Sequence, residues 1–237
     1  MSYIAGFVAA VPAASKEAYR KHVAEAASVL KEFGTTRMIE AWGDDVPGGK
    51  ITDFKSAVKA MPDEVVTFSW HEYPDKAAAD AAYHTMMSDP RVAKMVATMP
   101  FDGQRMMIGG FASIIDEGTP GKTGYIDGSL VPVPIANKAT YLAVAAKQAA
   151  VIREFGATRI VEAWGDDVSD GEVTDYRRAV KATDGEAVVY AWIEWPSKQV
   201  RDEGWKKVIA DPRMYADIMP YDNNRRVHGG FAPILNA

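Results

Sequence analysis

The chain contains no cysteine. Disulfides, thiolate metal sites, iron–sulfur clusters and cysteine nucleophiles are excluded together, and a reducing cytoplasm is the expected compartment. Histidine is nearly as scarce, with four in 237 residues: His22, His71, His84 and His228. No stretch approaches the ~18 apolar residues of a membrane span, and residues 1–8 lack the basic start and long apolar run of a secretory signal. Positive charge is in deficit, with 27 Lys and Arg against 32 Asp and Glu and a net charge of −5. The cations are scattered, so no basic stripe exists for a phosphate backbone, and neither nucleic acid nor a membrane is expected as partner. No G-x-S-x-G, H-E-x-x-H, P-loop or dinucleotide fingerprint occurs, which removes support from the common hydrolase, zinc-protease and nucleotide-enzyme classes.

What the chain has is itself, twice. A shift of 122 positions lays Tyr3 on Tyr125 and Arg91 on Arg213 without a gap. Glu40-Ala41-Trp42-Gly43-Asp44-Asp45-Val46 returns as Glu162-Ala163-Trp164-Gly165-Asp166-Asp167-Val168. After Arg91 the second copy drops two residues, and Gly109-Gly110-Phe111 then matches Gly229-Gly230-Phe231. A period this long means duplication of a whole domain, because solenoid repeats run about 20–50 residues. The expected division is one module over 1–117, a Gly/Pro-rich linker over 118–124 and a second module over 125–237.

Within one copy, Tyr3 to Val11 alternates like a strand. Ser15 opens a helix whose Tyr19, Val23, Ala27, Leu30 and Phe33 recur every three or four residues. Thr36 to Trp42 reads as a second strand, Asp53 to Ala60 as a short helical insert and Glu64 to Tyr73 as a third strand. A helix over 75–87, an Asp89-Pro90 helix start and a last strand over 104–114 complete the copy. The order β-α-β-β-α-β is the ferredoxin-like plan, in which helices cover one sheet face and leave the other bare. Two copies facing each other would bury both bare faces. The fold expected is therefore α+β: two fused ferredoxin-like modules forming a pseudo-dimeric α/β barrel, monomeric in solution, with a cavity between two sheets and the linker outside.

The segments D-D-V-x-x-G-x-x-T-D-F, F-S-W-x-x-Y-P, D-P-R and M-P-F-D-G-x-R-M-x-x-G-G-F resemble the YbaA-like proteins, a bacterial domain-of-unknown-function family of the dimeric α/β-barrel superfamily. The resemblance covers nearly all of the first copy and most of the second. It implies fold and assembly, with both halves of a dimeric barrel in one chain. The wider superfamily includes cofactor-free monooxygenases, haem-degrading and peroxidase-like enzymes, lactone isomerases and stress-response proteins, so activity does not follow from it.

Candidate residues come from the polar and aromatic positions that survive in both copies. Period two puts Glu40 with Trp42 on one strand face, and Trp70 with Glu72 likewise. A carboxylate beside Trp on an inward face can serve as a general base with a raised pKa. Glu40, Glu72, Glu162 and Glu194 are the catalytic candidates. Trp42, Trp70, Trp164 and Trp192 are the ligand-binding aromatics, with Arg37, Arg105, Arg159 and Arg225 as charge partners or anion anchors. Pairing of Glu40 with Arg37 or Arg105, and Trp as barrel filling, is the plainer alternative. Asp44, Asp45 and Asp53 suit turns and caps better than a cation site. No histidine recurs, so neither a haem nor a metal is expected, and no cofactor is called. Three readings remain open: an enzyme without cofactor acting on an apolar or aromatic small molecule, a non-catalytic ligand-binding or stress-response protein, or a purely structural duplicate without a site, which a filled barrel would favour.

Overall fold

The computed structural model describes residues 2–121 and 123–237; residue 122 of the expected linker lies outside them. Eight strands close into one antiparallel barrel: β1 (Tyr3–Pro12), β2 (Arg37–Asp45), β3 (Glu64–Tyr73), β4 (Met107–Gly118), β5 (Tyr125–Pro134), β6 (Arg159–Asp167), β7 (Glu186–Trp195) and β8 (Val227–Asn236). Their order around the ring is β1-β3-β2-β8-β5-β7-β6-β4. Residues 3–118 thus supply the run β4-β1-β3-β2, and residues 125–236 supply β8-β5-β7-β6. The runs join edge to edge, β2 with β8 and β4 with β6. The expected pair of separate facing sheets is corrected here: both bare faces turn inward, yet the sheet is continuous. Closure leaves no open strand edge for further pairing.

Helices α1 (Lys16–Glu32), α3 (Lys76–Ser88), α4 (Pro90–Ala97), α5 (Lys138–Glu154) and α7 (Lys198–Ala210) lie outside the barrel. The apolar stripe read in the sequence, Tyr19, Val23, Ala27 and Leu30, is the buried face of α1 and packs on Met38 and Trp42. Asp75 and Asp89 accept from Ala78 N–H and Arg91 N–H and start α3 and α4. Ser15 occupies the N-cap position of α1 without making a side-chain bond, because a preceding 3-10 turn carries the chain into the helix.

Two very short helices, α2 (Phe54–Ala57) and α6 (Tyr176–Ala179), close one mouth of the barrel. Phe54, Val58, Tyr176 and Val180 enter the central core, while Thr52 Oγ donates to Ala179 O at 2.5 Å and Thr174 Oγ donates to Ala57 O. Asp53 caps α2 by accepting from Ser56 N–H at 2.7 Å and also holds Gly49 N–H at 3.0 Å; Asp175 repeats both bonds. Asp53→Ala is expected to cost about 1 kcal/mol, lowering the thermal midpoint by about 2–4 °C for a chain of this size. Differential scanning calorimetry checks it.

Each short helix ends in a lysine with left-handed backbone, Lys59 at φ 49° and Lys181 at φ 50°. The position just past a helix commonly adopts this conformation, but with Gly or Asn. Arg105 Nη1 and Arg225 Nη1 donate to the carbonyls of these lysines at 2.9 Å each and hold the conformation in place.

The barrel interior is filled with side chains. Trp70 stacks on Trp192 with ring centroids 4.2 Å apart, and Phe68 lies on Tyr190 at 4.5 Å, each pair joining one half to the other. Phe111 and Phe231 pack against this stack and are fully buried. The cavity expected between two sheets is therefore occupied by aromatic rings. Gly109 leaves the room those rings need, since a Cβ there would meet Phe111 at 3.1 Å, while Gly110 makes room on the outer face for Tyr3, whose hydroxyl would stand 2.3 Å from such a Cβ.

Candidate functional site

The candidate residues separate into two places, and strand register decides which goes where. β2 pairs with β3 so that Glu40 lies opposite Ser69, Ile39 opposite Trp70 and Arg37 opposite Glu72. Neighbours across a sheet share a face. Trp70, Glu72 and Arg37 therefore point into the barrel, whereas Glu40 and Trp42 point outward beneath the helices. Placing Glu40 and Trp42 between the sheets is corrected accordingly, and so is the placement of Glu162 and Trp164. Trp42 packs in the α1 cluster with Lys16 Nζ 5.2 Å from its ring centroid, and Trp164 carries Lys138 at 4.7 Å.

At the mouth opposite α2 and α6, Arg37, Glu72, Arg159 and Glu194 form a crossed quartet. Arg37 donates to both Glu194 oxygens at 2.7 and 2.8 Å, and Arg159 donates to both Glu72 oxygens at 2.7 and 3.0 Å. Each arginine of one half thus holds the carboxylate of the other. Trp70 Nε1 donates to Glu72 at 2.9 Å and Trp192 Nε1 to Glu194 at 3.1 Å. Arg159 also grips Asp116 at 2.7 and 2.8 Å, and Arg37 reaches Asn236 Oδ1 at 3.5 Å. Thr123, from the expected linker, donates to Glu194. Thr123 also accepts from Arg37 Nη2 at 3.0 Å, so this residue of the expected linker is part of the quartet's surroundings and does not lie outside. Burial pushes the Glu194 carboxyl up, but the bidentate bond and charge of Arg37, with Thr123 and Trp192, hold it below the usual carboxylate range. Every carboxylate oxygen here already has a donor, so the quartet is built as a lock between halves.

Outside the barrel, Glu40 has no ion-pair partner among the described residues. Tyr19 Oη donates to its Oε2 at 2.6 Å and Ser69 Oγ donates to the same oxygen. The residue is 5% exposed, and burial raises its pKa to about 7 against the lowering influence of the Ser69 and Tyr19 bonds. Burial and then the Glu40 charge raise the Tyr19 phenol well above its ordinary value. Phe101 meets the Tyr19 ring edge-on at 5.6 Å. On the same sheet face, His71 sits with its ring 4.6 Å from Phe7 and its pKa pushed down to about 4 by burial.

The second half repeats the core of this arrangement with different surroundings. Tyr141 Oη donates to Glu162 Oε2 at 2.6 Å, and burial again raises the carboxyl to about 7, opposed by Tyr141 and the charge of Arg226. Ala191 replaces Ser69 and Ile193 replaces His71, while Arg226 stands where the first half has Met106. Arg226 Nε is buried without a hydrogen-bond partner among the described residues.

Arg105 and Arg225 belong to neither place. Each makes a bidentate pair, with Glu64 and Glu186 respectively, and a further bond to Asp102 or Asp222. Their expected role as partners of Glu40 or Glu72 is corrected to a clamp on the short-helix turns. Asp44 pairs with Lys198 at 2.5 Å and Asp45 with Arg201 at 3.2 Å. No group of three or more metal-type ligands occurs among the described residues. Sequence reasoning missed Tyr19, Tyr141 and Ser69. A tyrosine repeated on otherwise apolar helix stripes was the available signal, since a buried phenol requires a partner.

Comparisons with known proteins agree with this architecture. The family described as "Protein of unknown function (DUF1428)" matches residues 2–103 and 124–223. "Uncharacterized protein YbaA" of Escherichia coli K12 is 58% identical over 117 residues, 49% of this chain and 100% of that protein; the Shigella flexneri protein of the same name matches equally. Among solved structures, a "Putative monooxygenase" of Fusobacterium nucleatum superposes with TM-score 0.63 at 8% identity, covering 99% of this chain and 93% of that one. A "putative monooxygenase" of Lactobacillus acidophilus gives 0.61 at 10%, covering 100% and 96%. An "anthrone oxidase-like protein" gives 0.54 at 11%, covering 100% and 92%. Identities this low carry the fold alone. No helix among the described residues is long and apolar enough to cross a membrane.

Proposed function

The chain belongs to the DUF1428 family, and from that premise we propose that it is a small-molecule enzyme without a bound cofactor, working through Glu40 in the layer between sheet and helices, with Glu162 as counterpart. The observation that carries the reading is a buried carboxyl with hydroxyl partners, Tyr19 at 2.6 Å and Ser69, no cation among the described residues and a pKa near 7. A general base works best when its pKa lies near the working pH. Such a group can take a proton from an acidic C–H or O–H of an apolar or aromatic compound, with the Tyr19 phenol beside it to carry or return the proton. Trp42 and Phe101 supply apolar surface around its partner Tyr19, and Phe7 lies across the strand pair from Ser69. The names of the three structural neighbours fit small-molecule chemistry on this fold, by analogy only. The two modules would assemble as a monomeric internal pseudo-dimer of ferredoxin-like halves.

A filled barrel interior favours a second reading for Glu72 and Glu194. With Arg159 and Arg37 neutralising them, their work is structural, and a non-catalytic ligand-binding role then rests on the outer layer alone.

Anthrone serves as a test compound because its methylene protons are acidic. The parent protein is expected to speed their exchange with deuterium from solvent, with a rate rising through about pH 7 as Glu40 loses its proton. Glu40→Gln should lower the rate by about 10²–10⁴, while Glu72→Gln, if folded, leaves it within a few-fold. An exchange rate equal in parent and Glu40→Gln defeats the assignment.

A further inference from the structure

The mouth closed by α2 and α6 carries an open cleft of about 490 Å³ that neither Glu40 nor the quartet uses. Its polar lining is Ser56, Lys59, Arg178 and Lys181 with Thr52 and Thr174, and it includes no carboxylate. Three cations on one concave surface stand out in a chain of net charge −5. Arg178 is partly committed, its Nε 3.2 Å from Asp175 and its Nη1 bonded to Gly171 O at 2.6 Å. Asp170 and Asp175 line the adjoining depression. Lys59 and Lys181 are exposed, and among the described residues neither ammonium has an ion-pair partner. Both also hold left-handed backbone, at φ 49° and 50°, where Gly would sit without strain. The same strained choice of lysine in both halves, facing one cleft across the joint between them, is what a purely structural turn does not require. Strain of this kind collects where a side chain is needed for function.

We propose that this cleft binds a small polyanion, with two anionic groups engaged by Lys59 and Lys181 and Arg178 beside them. Its volume falls in the range of small-molecule sites, about 300–1,000 Å³, which favours a small ligand over a protein surface. The bound charge would bridge α2 and α6 and so tie the two halves together at the mouth opposite the quartet.

Inorganic pyrophosphate is the probe, titrated calorimetrically into the full chain at low ionic strength. The parent should bind it with an affinity that falls as salt rises. The double variant Lys59→Gly/Lys181→Gly removes both ammonium groups while keeping a residue suited to the backbone, so its thermal midpoint should hold or rise while pyrophosphate affinity drops at least tenfold. Lys94→Gln/Lys206→Gln removes the same charge elsewhere on the surface and should bind as the parent does. The proposal is overturned if the parent shows no binding, if the glycine variant binds as tightly as the parent, or if the charge-matched control loses as much.

Discussion

Arg159→Met is expected to destabilise the protein by about 3–5 kcal/mol, visible as a fall in the urea midpoint at pH 7 with the slope unchanged. Arg159 is 2% exposed and supplies bonds to both oxygens of Glu72, itself 5% exposed. Without it Glu72 keeps only Trp70 Nε1 at 2.9 Å and Arg37 at 3.3 Å. Asp116 loses its partner in the same step. The cost comes from stranding charge away from water, which the whole pair need not incur. Replacing Arg37, Glu72, Arg159 and Glu194 together by Met and Leu is therefore expected to lie near neutrality, because well-packed apolar groups often match a buried ion cluster. An Arg159→Met loss below about 1 kcal/mol would show that the carboxylates find water or other donors.

The quartet also marks where sequence reading stopped. The repeat, the strands and the helix stripes were legible because each depends on short periodicities within one segment. Strand alternation correctly placed Glu40 with Trp42 and Trp70 with Glu72. Which face each pair occupied was not legible, since facing depends on how β2 registers against β3, a property of two strands at once. The partner of Arg37 was still further away: it binds Glu194 more closely than Glu72, its neighbour across the strand pair, and 157 positions separate Arg37 from Glu194. Arg105 misled for the opposite reason, because its charge suggested a site while its partners Glu64 and Asp102 make a local clamp.

Closure of both mouths changes what duplication could vary. The quartet and the short helices bind one half to the other through crossed contacts, so a change in either half strains its partner. The outer layers are separate, Glu40 under α1 and Glu162 under α5, and here the halves differ most tellingly. Ser69 and His71 near Glu40 become Ala191 and Ile193, and Met106 becomes Arg226 near Glu162. One buried carboxyl is thus served by hydroxyls alone and the other lies within the field of a guanidinium. The repeat thus carries two related carboxyl environments with different surroundings.

Glu40→Gln is expected to become more stable relative to the parent as pH rises. The Glu40 carboxyl lies near 7 when folded against an ordinary value of 4.5, so between those values the folded chain holds a proton that the unfolded chain has lost. The stabilisation is complete below about pH 4.5 and disappears as pH climbs through 7, leaving a buried carboxylate that costs about 3 kcal/mol. Glu162, raised to about 7 as well, follows the same sign. His71 works in the opposite direction: its pKa near 4 makes folding unfavourable as pH falls below its ordinary 6.5. The parent's own pH profile therefore mixes two opposing slopes, and the difference between variant and parent isolates one. Urea unfolding at pH 5 and pH 8.5 should give Glu40→Gln a gain of about 3 kcal/mol over the parent on going from the lower to the higher pH. A difference that stays constant across that range would mean that Glu40 is ionised throughout, and with it would fall the base tuned to neutral pH assigned to the Tyr19–Glu40–Ser69 cluster.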